Sequence, residues 1–197
     1  NVQGRIASSP LLFSVVNSDI SDKVVSSKSF KDQVSFTSVS GQYTTLGSYA
    51  TDKLIGVGDF DGDGLIDIVK SGSNSQIAVH RNTTTQEQVI DSNSFSVFSS
   101  FSVGEASWSV EVADIDGDGK LDIVSAGSTS ISVLRNTSTG SGVIAFDNYV
   151  NFSTSGSSNL EINDVDGDGK LDFIYSRSYA SGFYVKLNES SPGNVTI

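Results

Sequence analysis

Short runs in which apolar and polar residues alternate recur at matching places along this chain. Ile55 and Val57, Val110 and Val112, and Leu160 and Ile162 each stand four and two places before an Asp. A period of two marks a strand with one face buried. Trp108 extends the second run by one more alternate position, which puts it on the core side. A compact apolar run follows each time, over 66–69, 121–124 and 171–174, and predicts a second strand. A third run ends on Asn in every copy: QIAVHRN at Asn82, SISVLRN at Asn136 and FYVKLN at Asn188. Weaker fourth strands are predicted over 95–101 and 145–152.

Between the first and second strands lies the same acidic phrase: DFDGDGLID from Asp59, DIDGDGKLD from Asp114 and DVDGDGKLD from Asp164. Asp fills positions 1, 3, 5 and 9, and Gly fills positions 4 and 6. Carboxylates this close repel one another by roughly 4 kcal/mol per pair at an effective dielectric near 20. A cation that neutralises them gives such a cluster a reason to exist. The donors are all hard oxygens with no His or Cys beside them, which selects calcium over zinc or copper. Glycine lets the backbone turn sharply enough for alternate side chains to converge. An EF-hand loop opens in the same way but needs Glu at position 12 and flanking helices. Here position 12 holds Lys70, Ser125 and Tyr175, and the flanks are strands. Ordinary solvated Asp-Gly turns would explain one copy; three copies in one register favour metal loops. The metal is expected to be structural, since no base or nucleophile recurs beside the loops.

The loops start 55 and then 50 residues apart, at Asp59, Asp114 and Asp164. Four strands in each period of that length are the signature of propeller blades. The fold expected is therefore all-β, a β-propeller of four-stranded antiparallel blades: a partial blade over 1–38, blades over 53–101 and 108–152, and one over 158–197 that is incomplete at its end. The first assignment follows because PLLFSVVN ends at Asn17 as the third strands end at Asn82, Asn136 and Asn188. Phe30 to Phe36 then supplies that blade's fourth strand. About four blades predict an arc of a larger ring rather than a closed disc. Unpaired strand edges template pairing with other chains, so the remaining blades are expected from flanking sequence or a neighbouring chain.

Composition narrows the classes. The formal charge of −11 argues against nucleic acid and anionic membrane surfaces, although three calcium ions would offset more than half of it. With no cysteine there are no disulfides and no thiol chemistry. No apolar run is long enough for membrane insertion. The chain contains no Met, which leads us to expect a processed product or an internal fragment. His80 is the sole histidine and lacks a Ser or Cys constellation, so it is read as a surface or packing residue. Trp108 is read as core, with sugar stacking as the alternative. Sequons occur at Asn82, Asn136, Asn151, Asn188 and Asn194. No catalytic residues and no organic cofactor are expected.

On its three D-x-D-G-D-G-x-x-D loops, the apolar strand before each and the Asn-ended strand after each, the chain resembles the FG-GAP family, and most closely its VCBS-type bacterial branch. The same repeat builds the calcium-binding propellers of integrin α subunits and propeller lectins. The resemblance implies a ring that is usually seven-bladed and calcium at three sites. Asp59, Asp61, Asp63 and Asp67 would hold the first ion. Asp114, Asp116, Asp118 and Asp122 would hold the second, and Asp164, Asp166, Asp168 and Asp172 the third. The carbonyls of Leu65, Lys120 and Lys170 would complete the shells. The chain departs from the integrin-type Gly-Ala-Pro after the second strand, having SGSNS, SAGST and SRSYA instead. The function expected is a non-enzymatic, extracellular or cell-surface recognition module, adhesin- or lectin-like, binding a protein or glycan on a propeller face. Two alternatives stand beside it: an assembly component of a surface complex or filament, and an accessory propeller of a larger secreted enzyme.

Overall fold

Three antiparallel sheets follow one another along the chain, each a simple meander. The first runs β1 (Ile55–Gly58), β2 (Asp67–Ser71), β3 (Gln76–His80) and β4 (Ser99–Ser102) in that spatial order. The second repeats it with β5 (Ser109–Ala113), β6 (Asp122–Ala126), β7 (Ser130–Leu134) and β8 (Val150–Ser153). The third has β9 (Asn159–Asn163), β10 (Asp172–Ser176) and β11 (Phe183–Lys186). The computed structural model describes residues 55–72, 74–85, 90–91, 93–96, 99–140, 142–154, 159–176 and 182–197. The partial blade expected over 1–38 lies outside them. Among the described residues there is no helix, and therefore none long and apolar enough to cross a membrane.

The registers repeat as the sequence does. Val57 stands opposite Ile68, Val112 opposite Ile123 and Ile162 opposite Phe173. The last Asp of each acidic phrase opens the second strand, facing Gly58, Ala113 or Asn163. Each phrase is thus the hairpin between the first two strands of its sheet. Its position-6 glycines, Gly64, Gly119 and Gly169, adopt φ of 85°, 87° and 86°. That left-handed conformation strains any residue with a Cβ.

The sheets stack face to face, with first strands adjacent: β1 packs beside β5, and β5 beside β9. Phe60, Val69, Ile77 and Val79 of the first sheet meet Val110, Ile123 and Leu134 of the second in one core. The other face of the second sheet, with Ile115, Val124, Ile131 and Val133, packs on Leu160 and Phe173 of the third. The middle sheet is therefore covered on both sides, and every residue of β6 and β7 is buried. Its strands accordingly mix apolar residues with Ser and Ala instead of alternating strictly. Edge-to-face pairs fill both seams: Phe60 with Phe146 at 5.6 Å between ring centroids, and Phe152 with Phe173 at 5.4 Å.

Two expectations about strand limits change. Trp108 does not join the core run: β5 starts at Ser109, and although the Trp108 amide bonds Ala126 O at 2.7 Å, the side chain remains exposed. The physical reason is position, since the strand is entered from a loop at the sheet's edge, beyond the reach of the neighbouring sheet. The fourth strands are also shorter than expected. Phe95 and Phe146 form single bridges to Asn82 and Asn136, apart from β4 and β8.

Small residues on β1 admit the second sheet. A Cβ on Gly56 would lie 2.7 Å from Val112 Cγ2, and one on Gly58 would lie 2.8 Å from Leu121 Cδ1. Gly56→Ala should therefore destabilise the protein by about 1–3 kcal/mol through overpacking. Urea unfolding checks this, with Gly182→Ala as a poor control (its φ is 125°) and the exposed Ser100→Ala as a good one.

Candidate metal centres

Each acidic hairpin gathers the carboxylates of positions 1, 3 and 9. Asp59, Asp61 and Asp67 each bring an oxygen within 4.8 Å of the others, as do Asp114, Asp116 and Asp122, and Asp164, Asp166 and Asp172. Backbone N–H groups prepare these positions. The position-1 carboxylate accepts from positions 4 and 6: Asp59 from Gly62 and Gly64, both at 2.8 Å, with Asp114 and Asp164 doing the same. Left-handed glycines aim those N–H groups inward.

The position-9 carboxylate is the most buried. Asp67 accepts Phe60 N on Oδ2 at 3.0 Å and Asn82 N on Oδ1 at 2.8 Å. Asp122 takes Ile115 N and Asn136 N, and Asp172 takes Val165 N and Asn188 N. Each oxygen keeps a further lone pair for a cation. Burial raises the Asp67 carboxyl above its ordinary value despite these bonds. Asp122 is pushed up to about 6, by burial first, with repulsion from Asp116 and Asp114 adding to it.

Position 5 is arranged differently and lies outside the three-carboxylate groups. Asp63, Asp118 and Asp168 accept the N–H of Leu65, Lys120 and Lys170 respectively. In the first hairpin Arg81 reaches Asp61 Oδ2 through Nε at 2.5 Å and Asp63 Oδ2 through Nη2. In the second, Arg135 turns to Asp147 at 2.6 Å and stays 3.9 Å from Asp118. Burial opposes ionisation of Asp61, yet Arg81 and the Gly142 N–H hold its carboxyl below the usual range.

The asparagines that end the third strands tie each hairpin to the next sheet. Asn136 Nδ2 donates to Leu121 O of its own hairpin and to Phe60 O of the preceding one, both at 2.9 Å. Asn188 does the same with Leu171 O and Ile115 O. A glycine N–H from the following sheet also caps each position-3 carboxylate: Gly142 on Asp61 at 2.5 Å and Gly193 on Asp116 at 2.8 Å. In the third hairpin Asp166 is exposed.

These bonds also explain most of the sequons. Asn82, Asn136 and Asn188 are buried, and Oδ1 of each accepts the N–H two residues on, from Thr84, Ser138 or Ser190. Asn-x-Ser/Thr is here a turn, leaving Asn151 and Asn194 as the exposed sequons. His80 sits at the end of β3 with Nδ1 3.3 Å from Ser96 O, a packing position.

The FG-GAP-like repeat matches twice, over residues 59–125 and 114–175. The chain belongs to the FG-GAP-like repeat family. No curated protein matches it. Each match of this FG-GAP-like chain runs from one acidic hairpin to the second strand of the next sheet, and so takes in the last three strands of one sheet and the joint to its neighbour.

Sequence reading found the carboxylates and missed the groups that organise them. The arginines were visible as the residue before the terminal Asn, Arg81 and Arg135, with Leu187 at the same place in the third repeat. Glu105 carried no repeating signal. It accepts from Ser128, Thr129 and Ser130 and pins the loop before β5 onto the β6–β7 turn.

Two outcomes follow. Asn136→Ala removes the donor to two carbonyls and should cost about 2–4 kcal/mol, while the exposed Asn148→Ala stays within about 0.5 kcal/mol in the same denaturation assay. The second concerns pH. A carboxyl raised from about 3.9 unfolded to about 6 folded contributes stability that is complete below the lower value and lost as pH rises through the higher. In calcium-free buffer the stability of wild type relative to Asp122→Asn should thus fall by about 3 kcal/mol between pH 4 and 7. A cation held by the ionised carboxylates would reverse the fall at pH 7.

Proposed function

We propose that the three hairpins bind calcium and that the ions brace the joints between successive sheets of a β-propeller. The observation that carries this reading is Asp61 Oδ1. It is a buried carboxylate oxygen without a hydrogen-bond partner, placed among the carboxylates of Asp59 and Asp67. Leaving a buried carboxylate oxygen without a partner is costly even though Arg81 and Gly142 engage the other one, and a hard cation is the partner that its all-oxygen setting fits. The ligands would be Asp59, Asp61 and Asp67, then Asp114, Asp116 and Asp122, then Asp164, Asp166 and Asp172. Position 5 and the carbonyls of Leu65, Lys120 and Lys170 would add to them. When bound, the ion supplies charge neutralisation; the chain's N–H groups hold the carboxylates in place.

The wider function follows from that bracing. A propeller whose joints depend on calcium suits the extracellular space, where calcium is plentiful, and a role in recognition rather than catalysis. The ligand is a protein or glycan bound on a propeller face, as in an adhesin or lectin. A second reading, assembly with further sheets, is favoured by the outer face of the third sheet. Val165, Phe183 and Val185 are exposed there, at the repeat positions where Ile115, Ile131 and Val133 of the second sheet are buried by its neighbour. Further blades, from flanking sequence or another chain, would cover that face and extend the arc into a ring.

Excess chelator should lower the melting temperature. At free calcium 100 times the dissociation constant, each site adds about 2.7 kcal/mol. Asp116→Ala should abolish the contribution of the second hairpin alone. A melt indifferent to chelator would overturn the bracing role. A glycan array with and without calcium, together with the solution mass, separates recognition from assembly.

A further inference from the structure

We propose that Arg81 is a built-in counter-cation for the first hairpin, so that calcium binds there more weakly than at the second. This rests on the reading of the hairpins as calcium sites and adds a residue that grades them. The residue before the terminal Asn is Arg81, Arg135 and Leu187 in the three repeats. In the first hairpin the guanidinium spans two carboxylates, Asp61 through Oδ2 and Asp63 through Oδ2. Asp63 Oδ1 already accepts Leu65 N, so both oxygens of Asp63 are engaged within the chain. Asp61 keeps one buried, unpartnered oxygen, Oδ1, for a cation.

In the second hairpin the equivalent guanidinium is drawn away. Asp147 holds Arg135 through Nε at 3.0 Å and Nη2 at 2.6 Å. Asp118 Oδ2 is 3.9 Å from Arg135, beyond hydrogen-bond distance. The two hairpins share their three-carboxylate group, the N–H contacts to positions 1 and 9 and their glycine cap from the next sheet. They differ at position 7, Leu65 against the exposed Lys120, in the Asp118 N–H that reaches Asp116 Oδ1 at 3.0 Å, and in where the arginine goes. A guanidinium on two of the four carboxylates repels an incoming dication and competes for Asp63. Charge-assisted Arg–carboxylate hydrogen bonds are strong, so this bridge between Asp61 and Asp63 persists at low calcium. The first hairpin then keeps part of its negative charge offset when calcium is scarce, and the second keeps less. Asp147 acts as a decoy that keeps Arg135 off its hairpin.

The test is a calcium titration of the full chain labelled with ¹⁵N, followed by NMR. The position-6 glycine amides, Gly64, Gly119 and Gly169, each report their own loop. In wild type, Gly64 should respond at about ten-fold or more higher calcium than Gly119. Arg81→Leu, which installs the residue of the third repeat, should lower the Gly64 midpoint by a similar factor and leave Gly119 unmoved. Asp147→Ala should raise the Gly119 midpoint by releasing Arg135 towards Asp118. Equal Gly64 and Gly119 midpoints in wild type would overturn the proposal, and that comparison needs no variant. An Arg81→Leu titration that superimposes on wild type would also overturn it. If no glycine responds to calcium in any protein, the calcium reading itself falls, a result distinct from equal midpoints.

Discussion

Twelve carboxylates packed into three nine-residue hairpins set the terms for everything else in this protein. Their mutual repulsion works against folding unless each oxygen meets a positive partner. The chain supplies such partners in a fixed order. Glycine N–H groups face position 1, two backbone N–H groups face position 9, and the next sheet supplies one N–H to position 3. These are partial charges, enough to orient the carboxylates but insufficient to cancel them. A cation would complete the balance; at the first hairpin the Arg81 guanidinium already lies on two of the carboxylates.

The same arrangement makes the hairpins structural joints. Phe60 and Ile115 occupy position 2, bury their side chains in the following seam, and offer their carbonyls to Asn136 and Asn188. One short segment therefore combines ligand, core residue and hydrogen-bond acceptor. Charge at the hairpin and packing at the seam are coupled through Asp67 and Asp122, whose oxygens hold both the position-2 amide and the strand-ending Asn amide. Protonating, neutralising or moving that carboxylate disturbs a hairpin and a sheet joint together.

The strands and carboxylates were legible because both obey short periods. Val110 and Val112, and Leu160 and Ile162, alternate as a half-buried strand must, and the acidic phrase repeats in one register; in β1 the expectation fails, because Gly56 and Gly58 are the buried positions and Ile55 and Val57 are exposed. The joint was less legible because its parts lie far apart in sequence and act mainly through backbone atoms. Asn136 is 76 residues from Phe60, and Gly142 is 81 residues from Asp61. Asn82, Asn136 and Asn188 resembled sequons because the Asx turn they form uses the same Ser or Thr two residues on. Trp108 misled because alternation continues into the loop while the sheet does not. The N-terminal strands assigned by counting back from Asn17 fall outside the described residues.

The third sheet shows how much of a residue's character comes from its neighbour. Val165 holds the place of Phe60 and Ile115, and Asp166 that of Asp61 and Asp116, yet both are exposed where their counterparts are buried. The local sequence is nearly the same; the missing contribution is the seam. Asp164 and Asp172 still receive their backbone N–H groups, so the hairpin's own geometry forms without a following sheet. What the following sheet adds is the glycine cap on position 3, the Asn donor on position 2 and the apolar cover. The hairpin and the seam thus have separate determinants. The first is encoded locally by Asp and Gly, and the second by residues one repeat away.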